Sequence, residues 1–457
     1  MMDNDISSRW HRFLGSRREW LRSIGGAALG VSVSGWFDAL AAKAATDKRR
    51  KRSCILLWMS GGPSQTDTFD LKAGHANGGP FKPIQTPVPG LEICEHMPRL
   101  AKMGDHLTLI RSMSTKEGDH SRATYLLRTG YTPGGPVAYP ALGALVGKSL
   151  GEETAELPNC VSIGAMTFLS PAAFGPGFLG PRHAPLVVGG GRAVFQQAQG
   201  NNYEQQLKVP NLTLAKDVER AQADARLSLL SDMEQGFGES HPGHAPQSHV
   251  SAYRQADRLM RSSATAAFEL GGEPDYLRDA YGRNTFGQGC MLARRLIERG
   301  VPFVEVSFNG LPESNVFGWD THQNNFDALK KMLPVLDAAW ATLLEDLKNR
   351  GLLDSTMVVW MGEFGRTPKI NSNQGRDHFP TAWSTVLAGG GITGGQVVGR
   401  SSEDGMTVAD RPVSVPDLLG TMVLSLGLDP MEQNMSNVGR PIRLIDPNAK
   451  PLRECLV

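Results

Sequence analysis

Three runs dominate the hydrophobic pattern: the continuous apolar Cys54-Ile55-Leu56-Leu57-Trp58-Met59, and the largely apolar Val301 to Phe308 and Thr356 to Met361, which read as buried strands. A strand covered on both faces needs no polar alternation, so each run predicts a central strand of a parallel sheet. Between the last two runs, Phe326 to Arg350 carries Leu329, Leu333, Leu336, Trp340, Leu343 and Leu347 at helical spacing. That stripe predicts a long amphipathic helix; Gly351 ends it, and Pro334 inside it is a candidate kink. Phe286 to Arg299 shows the same periodicity and closes on Gly300. Strand, helix, strand in this order is a right-handed crossover unit. The fold class is therefore α/β, with a mostly parallel central sheet flanked by helices.

Weaker signals fill the remainder. A helix is expected from about Met97 to Met103, a strand from Leu107 to Arg111, and a helix from His120 to Arg128 stopped at Thr129-Gly130. Gly134 to Gly190 is rich in Gly and Pro and predicts irregular structure. Residues 201–281 read as a polar, helical insertion broken once, at Glu239 to His249. The three histidines of that break form either a metal tract or a solvated loop, and the Pro, Gly and Ser around them favour the loop. No internal repeat is present.

Composition narrows the classes. The chain has 457 residues, 40% hydrophobic and 20% charged, as expected of a globular protein. A net charge of +1, with no basic stripe interleaved with aromatics, argues against a nucleic-acid partner. The five cysteines are scattered without a C-x-x-C pair and read as buried thiols. At the N-terminus, Ser16-Arg17-Arg18-Glu19-Trp20-Leu21-Arg22 resembles a twin-arginine export motif. A weakly apolar stretch from Ile24 to Phe37 and an A-x-A site at Ala42-Lys43-Ala44 follow. Residues 1–44 are thus expected to be a signal peptide, and 45–457 a single α/β domain. The twin-arginine machinery is the expected partner, and the location periplasmic or exported. The apolar stretch is too short and glycine-rich for a stable membrane span.

The chemistry concentrates where the predicted strands end. Asp320 and His322 (in Gly318-Trp319-Asp320-Thr321-His322), Glu363 (in Gly362-Glu363-Phe364-Gly365-Arg366), and Asp377-His378 all follow strand-like runs or the next loop. Ligands of open α/β sheets bind at the carboxyl ends of strands. Carboxylates and imidazoles together suit a divalent ion, zinc, manganese or calcium. Each residue has a competing role. Asp320 could be a turn residue and His322 a helix cap; Glu363 could pair with Arg366. Asp67 and Asp70, after the Ser60-Gly61-Gly62-Pro63 loop, could be ligands or turn residues.

These motifs resemble the domain of unknown function 1501 family: W-M-x-G-G-P-S-x-x-D-T-F-D at 58–70, G-W-D-T-H at 318–322, G-E-F-G-R-T-P at 362–368, and G-R-D-H-F-P at 375–380. The resemblance implies membership of the alkaline phosphatase and sulfatase superfamily, with its α/β core and metal-dependent hydrolase site. His96 to Gly104 and Ser121-Arg122 through Gly130 are similar to sulfatase segments. The departures are specific. The sulfatase cysteine that becomes formylglycine falls at Gly118, the metal-binding aspartate of the first strand at Ser60, and the Asp-His pair at Glu363-Phe364.

The function expected is an exported metal-dependent hydrolase of phosphate or sulfate esters, with an anionic ester or polysaccharide as partner. Arg122, with Arg366 or Arg376, would balance the anion. His120 would act as general acid or ligand. Water, or a hydroxyl among Ser114, Thr115 and Ser121, would attack, with Ser121 alternatively an N-cap. The competing reading is a non-catalytic, metal-containing surface protein that binds sulfated or phosphorylated polysaccharide.

Overall fold

Cys54, Leu56 and Trp58 face one hydrophobic core while Ile55, Leu57 and Met59 face another, which explains why that run has no polar position. In the computed structural model, residues 52–189, 203–241, 244–311 and 317–457 are described. The predicted signal peptide, residues 1–44, lies outside them. The described residues belong to one compact unit, Lys51–Val457.

Among the described residues, eight strands form the main sheet: β1 (Ser53–Trp58), β2 (Leu107–Met113), β3 (Cys160–Ile163), β4 (Leu186–Val188), β5 (Phe303–Ser307), β6 (Thr356–Met361), β7 (Trp383–Gly389) and β8 (Gln396–Val398). Their order is β8-β2-β7-β6-β1-β5-β3-β4. Every pairing is parallel except those of β7, which runs antiparallel to both neighbours. The sheet is mostly parallel, as the crossover pattern predicts, and β1, β5 and β6 lie at its centre.

Helices α1 (His120–Thr129), α2 (Leu142–Leu150), α3 (Arg220–Ser240), α4 (His244–Arg261), α5 (Thr285–Glu298), α6 (Asn325–Asn349) and α7 (Val415–Ser425) surround it. Residues of α5 and α6 share a core with Ile55 and Leu57; residues of α1, α2 and α7 share the opposite core with Leu56 and Trp58. All six stripe residues of α6 are 0% exposed, and the helix runs unbroken through Pro334.

Three expectations need correction. Gly134 to Gly190, foreseen as irregular, also contributes α2 and the sheet strands β3 and β4. The helix foreseen at Met97 to Met103 is a single turn, Pro98–Ala101, followed by a 3-10 turn at Gly104–His106. The loop foreseen at Glu239 to His249 is largely helical, since α3 runs to Ser240 and α4 starts at His244. There His249 Nδ1 lies 2.8 Å from Glu234, tying the two helices together. Among the described residues, no helix is long and apolar enough to cross a membrane.

Candidate metal centre

Four segments bring the chemistry together. The loop after β1 turns at Gly61, whose φ is +107°. A Cβ there would lie 2.5 Å from the backbone nitrogen of Asp320, so only glycine lets the two loops meet. The loop after β6 supplies Glu363. A short antiparallel pair, Gly365–Arg366 with His378–Phe379, turns the chain back and presents His378. The first residue of α1 is His120, set in place by Asp119, the N-cap, which accepts a 3.0 Å hydrogen bond from the Arg122 backbone N–H.

Three imidazoles, those of His120, His322 and His378, converge on one oxygen of Asp320. Asp320 Oδ1 lies 3.3 Å from His120 Nε2, 3.1 Å from His322 Nε2 and 3.2 Å from His378 Nε2. The donor atoms of His120, Asp320 and His378 all fall within 4.8 Å of one another. His120 Nε2 is at ion-pair distance from Asp320 yet lacks the alignment of a hydrogen bond, and it is buried without another partner. His322 Nε2 and His378 Nε2 approach to 3.0 Å.

The opposite edge of each imidazole is occupied by an acceptor. His120 Nδ1 meets Glu363 Oε1 at 2.7 Å, His322 Nδ1 meets Asp377 Oδ1 at 2.8 Å, and His378 Nδ1 meets the Gly118 carbonyl at 2.8 Å. A carbonyl accepts only, so His378 carries its hydrogen on Nδ1 and turns the Nε2 lone pair inward when neutral. The same logic applies to His120 and His322. Two lone pairs 3.0 Å apart repel unless a cation or proton lies between them. A tetrahedral zinc site with bonds of about 2.0–2.1 Å has donor–donor edges of about 3.3–3.4 Å. The residues present therefore fit a divalent ion.

Charge reinforces the arrangement. Burial disfavours a charged His120, but the carboxylates of Asp320, close to Nε2, and Glu363, hydrogen-bonded to Nδ1, outweigh it and lift the pKa to about 9. Burial works to raise the Asp320 pKa. The close approach of His120, the hydrogen bond of His378 and the charge of Arg366 prevail and hold it well below the carboxylate range. Arg366 is fully buried and donates to Asp320 Oδ1 and to the carbonyls of Gly61 and Gly62.

Not every predicted residue joins the cluster. Glu363 and Asp377 sit behind histidines, although Glu363 Oε2 is buried without a partner. Asp67 stands apart. It is 0% exposed and accepts from Arg376 Nε at 2.7 Å, Arg376 Nη2 at 3.0 Å, Ser64 Oγ at 2.6 Å and Asn325 Nδ2 at 2.9 Å. Asp70 is paired with Lys72 at 3.0 Å. Ser121 is exposed and is not the N-cap. Arg122 is also exposed and spends Nε and Nη2 on Glu117, each at 2.7 Å. Two backbone groups that residue types cannot reveal also belong here: the Gly118 carbonyl and the Gly61 N–H, which donates to Glu363 Oε1 at 2.8 Å.

The chain belongs to the family described as "Protein of unknown function (DUF1501)", whose pattern spans residues 51–456. Among curated proteins none matches the sequence. Several solved structures are similar to this one at low identity. PsFucS1 sulfatase from Pseudoalteromonas sp. is 14% identical, with a TM-score of 0.39 over 86% of this chain and 72% of that one. The lipoteichoic acid synthase LtaP from Listeria monocytogenes is 10% identical, with a TM-score of 0.38 over 89% and 80%. Alkaline phosphatase from the Antarctic bacterium TAB5 is 15% identical, with a TM-score of 0.33 over 78% and 96%.

Proposed function

We propose that this protein is an exported, metal-dependent hydrolase of phosphate or sulfate esters, with one divalent ion held by His120, Asp320 and His378 and approached by His322. The observation that carries this reading is the convergence of three Nε2 atoms on Asp320 Oδ1 while each Nδ1 is held by an acceptor. When bound, a divalent ion supplies Lewis acidity that polarises an ester oxygen and makes water nucleophilic near neutral pH. The protein's part is orientation. Glu363 and Asp377 fix the tautomers of His120 and His322, and Arg366 holds Asp320. Side-chain exposures of 44% for His322 and 25% for His378 open one side of the cluster to solvent. Export rests on the twin-arginine motif at Arg17-Arg18.

A metal-containing protein without catalysis is the second reading, since the arginines expected to balance an ester's charge are spent on other partners. Arg366 and Arg376 are fully buried with every guanidinium nitrogen engaged by the protein, and Arg122 is held by Glu117. Elemental analysis of purified protein, followed by assays with aryl phosphate and aryl sulfate, separates the two. Hydrolysis expects one divalent ion per chain and turnover that a chelator abolishes and the ion restores. Metal without turnover on either ester supports the second reading, and protein without metal overturns both.

A further inference from the structure

The four donors of the centre are not held alike. The partner of His120 is Glu363, whose side chain is 1% exposed and which the Gly61 N–H fixes in turn. The partner of His378 is a backbone carbonyl, and Asp320 is gripped by the buried Arg366. His322 differs on both counts. Its side chain is 44% exposed, and Asp377, behind it, is 55% exposed. Exposed ion pairs restrain a side chain only weakly. His322 also stands outside the trio whose donor atoms all lie within 4.8 Å of one another.

The backbone beneath His322 is nevertheless rigid. Its carbonyl accepts from Asn371 Nδ2 at 2.9 Å, and the Thr321 carbonyl accepts from the Arg376 N–H at 3.0 Å. A Cβ at Gly375 would lie 2.0 Å from the His322 carbonyl oxygen, so the two loops are in close contact. Movement at this position therefore belongs to the imidazole, which needs only to rotate toward the solvent it already faces. Three anchored donors beside one open position is the pattern of metal sites that exchange ligands; four anchored donors is that of structural sites.

We propose that His322, backed by Asp377, is an exchangeable fourth ligand: it closes the coordination sphere of the resting protein and yields its place to an incoming oxygen or nitrogen donor, while His120, Asp320 and His378 retain the ion. This rests on the metal-centre reading above. Gln or Ala at 322 leaves the anchored trio complete, whereas Ala at 378 removes an anchor.

The test uses the full chain loaded with cobalt(II), whose visible absorption reports its coordination, with azide as the competing ligand. His322→Ala is expected to keep one cobalt per chain, with affinity weakened by about ten- to a hundredfold. Its visible spectrum should change, and it should bind azide at least about tenfold more tightly than wild type, because no imidazole has to be displaced. Asp377→Asn should keep cobalt and tighten azide binding by a smaller factor. His378→Ala should lose cobalt on dialysis while retaining the wild-type circular dichroism spectrum. The proposal is overturned if His322→Ala matches wild type in both spectrum and azide affinity. It is equally overturned if that variant sheds cobalt as fully as His378→Ala. Wild-type protein that takes up no divalent ion would instead overturn the metal centre itself.

Discussion

Asp119, not Ser121, caps α1 by accepting the free N–H of Arg122 in its first turn, and the difference is measurable. Asp119→Ala removes the cap and should cost about 1 kcal/mol of unfolding free energy, read from the urea midpoint. Ser121→Ala should stay within about 0.5 kcal/mol of wild type, because its exposed hydroxyl caps nothing. Glu363 poses a different question, since its charge faces His120 Nδ1 at 2.7 Å. Glu363→Gln keeps the shape but removes the charge that orients the imidazole. Metal affinity, measured by competition with a chromophoric chelator, should fall about ten- to a hundredfold. Of the residues that sequence pattern singled out, Asp320, His322 and His378 meet in space. Asp67 could not be separated from them by pattern, because an aspartate after a glycine loop looks the same whether it faces a metal or an arginine. Its partner, Arg376, is 309 positions away.

Helix α6 carries the clearest agreement between pattern and packing. Leu336 is 0% exposed in the middle of its stripe, so Leu336→Ala should cost about 2–5 kcal/mol, measured by urea unfolding. The same helix joins a buried charge network. Arg294 of α5 lies 2.8 Å from Glu273, 2.8 Å from Asp346 of α6, and 3.0 Å from Glu298. Burial pushes the Glu273 pKa up, but the hydrogen bonds and charges of Arg294 and Arg295 win and leave it lowered. A lowered folded pKa stabilises above the unfolded carboxyl range, near pH ~4.3, and that stability disappears as pH falls through the folded value. Glu273→Gln should therefore destabilise the protein at neutral pH, and the gap to wild type should narrow in acid. The loss should stay below the about 3–5 kcal/mol of a buried pair left uncompensated, because Arg294 keeps Asp346 and Glu298. Urea midpoints of both proteins across pH 2–7 check the sign. The helical insertion behaves differently. Leu229, Met233 and Phe237 of α3 are more than half exposed, so α3 lacks the packed stripe that made α6 predictable.

For the whole molecule, the centre joins loops from distant parts of the chain, so a bound ion should stabilise the folded state. At a free concentration a hundredfold above the dissociation constant, the gain is about 2.7 kcal/mol. Adding zinc to metal-free protein should raise the thermal midpoint, and a chelator should reverse the rise. His378→Ala should respond to neither, as differential scanning fluorimetry would show.

The central strands, the two-faced sheet and the long helix follow from apolar periodicity, because local side-chain patterns decide which face is buried. The strand-end location of Asp320, Glu363 and His378 follows as well, since each comes soon after an apolar run or in the next loop. Tertiary structure alone decided which atoms meet. Asp320 faces three imidazoles because Gly61 lets two loops touch, and Glu363 reaches His120 across 243 positions. The reversed strand β7 and the Gly118 carbonyl behind His378 belong to the same category. Such contacts depend on the relative placement of whole elements and on backbone groups common to every residue, which no local pattern records.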